Sequence, residues 1–175
     1  MVLLCACHES DNEQILDQLD QVIESKGLYA VRFERRVDSL RRELCTASDD
    51  TMRWRTANRL FDSYITYNID TAARYVALMY DLAEHTGRRD MKFLSTTCDI
   101  SVLIGRNNIE DAYDRIRSLD TAGITKRMRA NYYTQQMVVY GRLASQNTSE
   151  SRSRAYADTL ARIRPVSYTH LTLPT

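Results

Sequence analysis

From Met1 to Arg164 the chain contains no proline; both of its prolines, Pro165 and Pro174, come later. A proline-free run of this length removes the commonest interruption of helices, so glycine is left as the main punctuation. Gly27, Gly87, Gly105 and Gly123 stand between segments whose apolar residues recur every three or four positions, as helix terminators do. Gly141 alone falls inside such a segment, where it suggests a close helix approach. The pattern predicts an all-α chain with short connections.

Each segment carries its own start signal. Ser10-Asp11-Asn12-Glu13 has the form of a capping box and leads into Ile15, Leu16, Leu19, Val22 and Ile23. After Gly27, Tyr29, Phe33, Val37, Leu40 and Leu44 continue on one stripe, which predicts a helical hairpin over 8–47, or a kinked long helix. Ser48-Asp49-Asp50 supplies caps for a helix with Trp54, Ala57, Leu60, Phe61 and Tyr64 on its apolar face. Asp70 is placed to cap the next, which carries Ala72, Val76, Tyr80 and Ala83 and ends at Gly87. Leu94 to Val102, Asn108 to Leu119, Thr125 to about Ser145 and Ser151 to Arg164 mark four more.

The helix starts alternate. Like-placed helices begin near Asp49, Arg89 and Thr125, and their partners near Asp70, Asn108 and Ser151. Asn68-Ile69-Asp70-Thr71-Ala72 and Asn108-Ile109-Glu110-Asp111-Ala112 repeat the same order of Asn, Ile, acid and Ala. A recurring antiparallel helix pair of somewhat more than about 34 residues is the signature of a tetratricopeptide-like α-solenoid. The expected architecture is that solenoid over 48–164; a plain helical bundle is the alternative.

The ends of the chain call for separate readings. Val166 to Thr175 back-translates as GTC TCT TAT ACA CAT CTG ACG CTG CCG ACG, one frame of the transposon mosaic end and linker used to build shotgun libraries. Residues 165–175 are therefore expected to be adapter-derived, and the native chain is expected to continue beyond Arg164. At the other end, Leu4-Cys5-Ala6-Cys7 resembles a bacterial lipobox, with residues 1–7 as a partial export signal and Cys7 as the acylated residue. Only five apolar residues follow Met1, fewer than the roughly 7–15 of a complete signal. The true start is then upstream, and the expected location is the periplasmic face of a bacterial envelope, membrane-associated.

Charge and chemistry exclude more than they assign. Lysine and arginine number 24 against 23 acids, a net charge of +1, so no general nucleic-acid surface is expected on this part of the protein. No phosphate-cradling glycine loop, His-Glu-x-x-His or serine elbow occurs. Cys5-Ala6-Cys7 lacks the spacing of a metal or redox pair, and Cys45 and Cys98 are expected to be buried thiols. Neither catalysis, a cofactor nor a metal is expected. The remaining clue is tyrosine, which packs between helical layers with its hydroxyl at the rim. Arg53, Tyr64, Asn68, Tyr132 and Gln136 are the candidates for a face that binds a protein or peptide partner.

The segments Tyr29 to Leu40 and Tyr64 to Ala83, within a span from Leu16 to Arg164, resemble a family of Bacteroidetes envelope regulators that carry a domain known as DUF6377. That resemblance implies an exported tetratricopeptide-like region, followed by a membrane helix, a coiled coil and a cytoplasmic part that binds DNA. It implies a sensory or scaffolding role here, with membrane attachment through the signal, a lipid anchor or the downstream helix. A stand-alone lipid-anchored scaffold is the alternative.

Overall fold

The computed structural model describes residues 7–172, with side chains for 14–24 and 26–163. Its elements are α1 (Cys7–Thr46), α2 (Asp50–Tyr64), α3 (Ile69–Thr86), α4 (Arg89–Gly105), α5 (Ile109–Arg117), α6 (Lys126–Gln146) and α7 (Glu150–Thr172). The chain divides into two compact units, one through Arg42 and one from Glu43. α1 begins at Cys7, ahead of the expected cap at Ser10, and the side chains of Cys7, of Ser10 to Glu13 and of the Val166–Thr175 segment lie outside the described ones.

The first unit corrects the hairpin expectation: α1 is one helix that runs straight through Gly27. A glycine without its left-handed conformation or a following proline weakens a helix by only about 1 kcal/mol against alanine, too little to stop one. Nothing lies within 4 Å of where a Gly27 Cβ would stand, so no neighbour demands the glycine either. Along this helix Ile15, Leu16, Leu19 and Ile23 are all exposed.

In the second unit the helix ends are set by local chemistry. Asp49 Oδ1 accepts the Met52 N–H at 2.8 Å to open α2, and Thr125 Oγ1 accepts that of Met128 at 3.3 Å to open α6. The cap of α3 is Asn68, whose Oδ1 takes the Thr71 N–H at 2.9 Å, and not Asp70 as expected. Asp70 lies one position inside the helix and pairs instead with Arg106 at 2.6 Å. Gly87 closes α3 in the left-handed region at φ 64°, where a side chain would be strained. The repeated openings hold in three dimensions: the Ala72 and Ala112 N–H groups bond the Asn68 and Asn108 carbonyls, and both alanines are fully buried.

The helices stack as consecutive antiparallel pairs, α2 with α3, α4 with α5 and α6 with α7, with α3 also against α4 and α5 against α6. Starts at 50, 89 and 126 make each unit about 40 residues. This is the expected solenoid, and among the described residues there is no strand. Leu60, Met79 and Leu82 fill the first layers, and Ile100, Ala112, Ile116, Val139 and Leu143 join the second pair to the third. The glycines exchange roles. A Cβ on Gly141 would meet Leu160 only at 3.8 Å, an ordinary contact, whereas one on Gly105 would stand 2.7 Å from Ile69 Cδ1. The close approach is thus at Gly105, where the end of α4 meets the start of α3.

Candidate functional site

The first helices of the three pairs, α2, α4 and α6, face a common groove of about 620 Å³. Its apolar floor is Trp54, Phe61, Leu94 and Met128, of which all but Leu94 are buried. Trp54 is held in place by donating its indole N–H to Ser95 Oγ at 3.0 Å, and that hydroxyl donates to the Met91 carbonyl at 2.9 Å. The buried indole nitrogen is thereby satisfied and the ring cannot rotate without losing a bond.

Above the floor sits a row of amides and hydroxyls. Asn58 donates to Asp62 Oδ2 at 3.4 Å and accepts from the Cys98 thiol at 3.5 Å. Gln135 donates to Ser101 Oγ at 2.7 Å, and Asn131 and Thr134 complete the row on α6. Burial pushes the Cys98 thiol up to about 12, so it stays protonated and is a packing group with no thiolate reactivity. Cys45, by contrast, is exposed, which corrects the expectation that it is buried.

The charges of the groove divide into satisfied and unsatisfied. Arg59 holds both oxygens of Glu43 at 2.8 Å. Arg88 clasps Asp90 at 3.1 and 2.6 Å and draws that carboxyl below its usual range. Asp62 is raised instead, because the groove wall desolvates it more than the Arg127 charge offsets. Arg55 and Arg127 are exposed in the groove and, among the described residues, neither has an ion-pair or hydrogen-bond partner.

The sequence-chosen residues lie elsewhere. Arg53 pairs with Asp50 at 3.1 Å within the first turn of α2. Tyr64 is buried and stacked on Tyr75 with centroids 5.8 Å apart, and Asn68 is a helix cap. Only Tyr132 and Gln136 are brought together, through a 2.9 Å bond in which Gln136 donates to the phenol oxygen. None of the five lines the groove. For three of them the lining is one or two residues away, at Trp54 and Arg55 beside Arg53 and at Asn131 and Gln135 beside Tyr132 and Gln136, and one residue on a helix is a rotation of about 100°. The missed signal was the spacing of Arg55, Asn58 and Asp62, and of Asn131 and Gln135, beside the buried stripe of each helix.

A second cleft of about 390 Å³ shows the contrast. Arg89, Lys92 and Arg115 surround it, but each is already paired, with Asp120 at 2.6 Å, Glu84 at 2.5 Å and Asp99 at 3.2 Å. It has no charge to spare for a ligand. His85, in the last turn of α3, stands 4.0 Å from Asp50 Oδ2. Among the described residues no cluster of His, Cys, Asp or Glu could hold a metal, and no helix is long and apolar enough to cross a membrane.

Helix pairs of this length, stacked so that their first helices share a groove, define a tetratricopeptide-type α-solenoid, a repeat fold without catalytic machinery that serves protein–protein interaction. Residues 23–172 match the family profile of the SusR N-terminal TPR domain, and the chain belongs to that family. The match extends into the Val166–Thr175 segment. No curated protein and no solved structure matches the chain.

Proposed function

We propose that this chain is the partner-recognising, exported part of a membrane-bound transcriptional regulator of the DUF6377-like kind, and that the groove of α2, α4 and α6 holds an extended segment of a protein partner. The observation that carries this reading is the pairing of an apolar floor with a row of side-chain amides. Asn58, Asn131 and Gln135 offer both donors and acceptors, which suits a peptide backbone of any sequence. The floor accepts side chains, and the buried Trp54 gives it a rigid anchor.

A displayed library of random linear peptides, panned on the whole chain, tests the groove. Peptides should be enriched, and the bulky, uncharged Asn131→Trp should abolish their capture while leaving the melting temperature unchanged. Capture that survives Asn131→Trp would place the binding surface elsewhere.

In this reading residues 1–7 end an export signal, with Cys7 acylated, and Val166–Thr175 is linker. Genomic sequence across Arg164 tests the latter, since an uninterrupted native reading of those ten codons would refute it. The lipobox-like Leu4-Cys5-Ala6-Cys7 favours a second reading, a stand-alone lipid-anchored scaffold. A stop codon shortly after Arg164 in the gene would select it, whereas an apolar span of about 20 residues would select the regulator.

A further inference from the structure

The groove's charges say what kind of segment it takes. Of its five ionic side chains, Arg59 is neutralised by Glu43 and Asp90 by Arg88, each through two bonds. What remains is Arg55 and Arg127 against one carboxylate, Asp62. Asp62 shares itself with the Asn58 amide at 3.4 Å and forms no ion pair with either arginine. The groove is therefore locally positive although the whole chain is close to neutral, at +1. The paired cleft of Arg89, Lys92 and Arg115 shows that a concave surface on this fold need not be left so.

We propose that the segment held in the groove is acidic, with carboxylates on Arg55 and Arg127 and an apolar side chain on the Trp54 and Met128 floor; this rests on the groove reading above. Arg55, exposed and unpaired, gives up no internal partner when it binds a carboxylate, and Arg127 gives up only its attraction to Asp62, which it does not contact as an ion pair. Either guanidinium can receive both oxygens in a fork geometry. The two arginines come from α2 and α6 and line one groove together with α4 residues and the amides of Asn58 and Gln135, so a single segment lying in it can meet both. An isolated acidic residue would engage one guanidinium only. Two acids separated by apolar residues would engage both and fill the floor between.

Fluorescence anisotropy with two labelled pools of linear peptides tests this on the whole chain. The pools are identical random mixtures of apolar residues except that one has glutamate and the other glutamine at two fixed positions. The acidic pool should bind about tenfold more tightly, and Arg55→Gln and Arg127→Gln should each remove most of that advantage. Binding of the acidic pool should weaken with salt, and binding of the neutral pool should not. Both variants should keep the wild-type melting temperature because neither arginine supports the fold through an ion pair, and Arg89→Gln, in the paired cleft, should leave the advantage intact. Equal binding of the two pools, with both lost in Asn131→Trp, would overturn the acidic assignment and leave the groove reading standing. Binding of neither pool would overturn both. Equal or tighter binding of a single-stranded oligonucleotide of the same charge would overturn the assignment to peptide.

Discussion

Leu16, Leu19 and Ile23 of α1 recur at helical spacing and remain 52–58% exposed, while Ala72, Val76, Met79 and Ala83 of α3 recur at the same spacing and are at most 3% exposed. Both stretches carry start signals and both form helices. The difference is that α3 packs against α2 on one side and α4 on the other, and its alanines let them come close. An amphipathic stripe specifies a helix and the face it will bury if something is there to cover it. It does not supply the cover.

The largest test of that contrast is a matched pair of truncations followed by urea unfolding. Met79→Ala should cost about 2–5 kcal/mol, because its side chain is fully enclosed and leaves a cavity. Leu19→Ala should change stability by no more than about 0.5 kcal/mol. An equal cost at both positions would mean that the α1 stripe is covered after all. Next in size is Ser95→Ala, which leaves the Trp54 indole N–H buried without its acceptor and should cost about 1–3 kcal/mol. Trp54 is the only tryptophan, so a shift in its emission reports the same event; an unchanged spectrum and midpoint would show the bond to be dispensable.

Asn68→Ala comes third, at about 1 kcal/mol, because it removes the acceptor of the Thr71 N–H while Asp70 stays in place. If Asp70→Ala proves the costlier of the two, the assignment of the cap is wrong. The smallest effects are on pH dependence. Asp62 is raised in the fold, so the stability it supports is complete below the ordinary carboxylate value and is lost as pH rises through the raised one. Asp62→Asn should therefore stabilise at neutral pH, by less than about 1 kcal/mol for so exposed a group, and be neutral in acid. Asp90 is lowered, so its contribution is present above the ordinary value and lost as pH falls through the lowered one. Asp90→Asn should weaken the fold slightly at neutral pH and converge with wild type in strong acid. Chemical denaturation at several pH values should show the two variants diverging in opposite directions.

Part of the candidate site was within reach of the sequence, since Arg53, Tyr132 and Gln136 stand one or two residues from residues that line it. Arg53 and Arg55 are both arginines on α2, and Tyr132 and Gln136 adjoin Asn131 and Gln135, so composition could not separate them. The rotation of each helix about its axis depends on how Leu60, Ile100 and Val139 settle against their neighbours, and an offset of one residue turns a groove wall into a buried or paired side chain. Tyr64, an obvious partner-binding candidate by type, is consumed by its stack on Tyr75.

By itself the sequence determined the all-helical class, the approximate start of each repeat and the period near 40 residues. Those properties come from caps, glycines and apolar spacing acting within a few residues of one another. The tertiary structure alone decided that Gly105 and not Gly141 admits a close neighbour, and which arginines find carboxylates. These outcomes depend on contacts between residues far apart in the chain, such as Arg59 with Glu43 and Gly105 with Ile69. The unpaired pair, Arg55 and Arg127, is visible only once those other partnerships have formed.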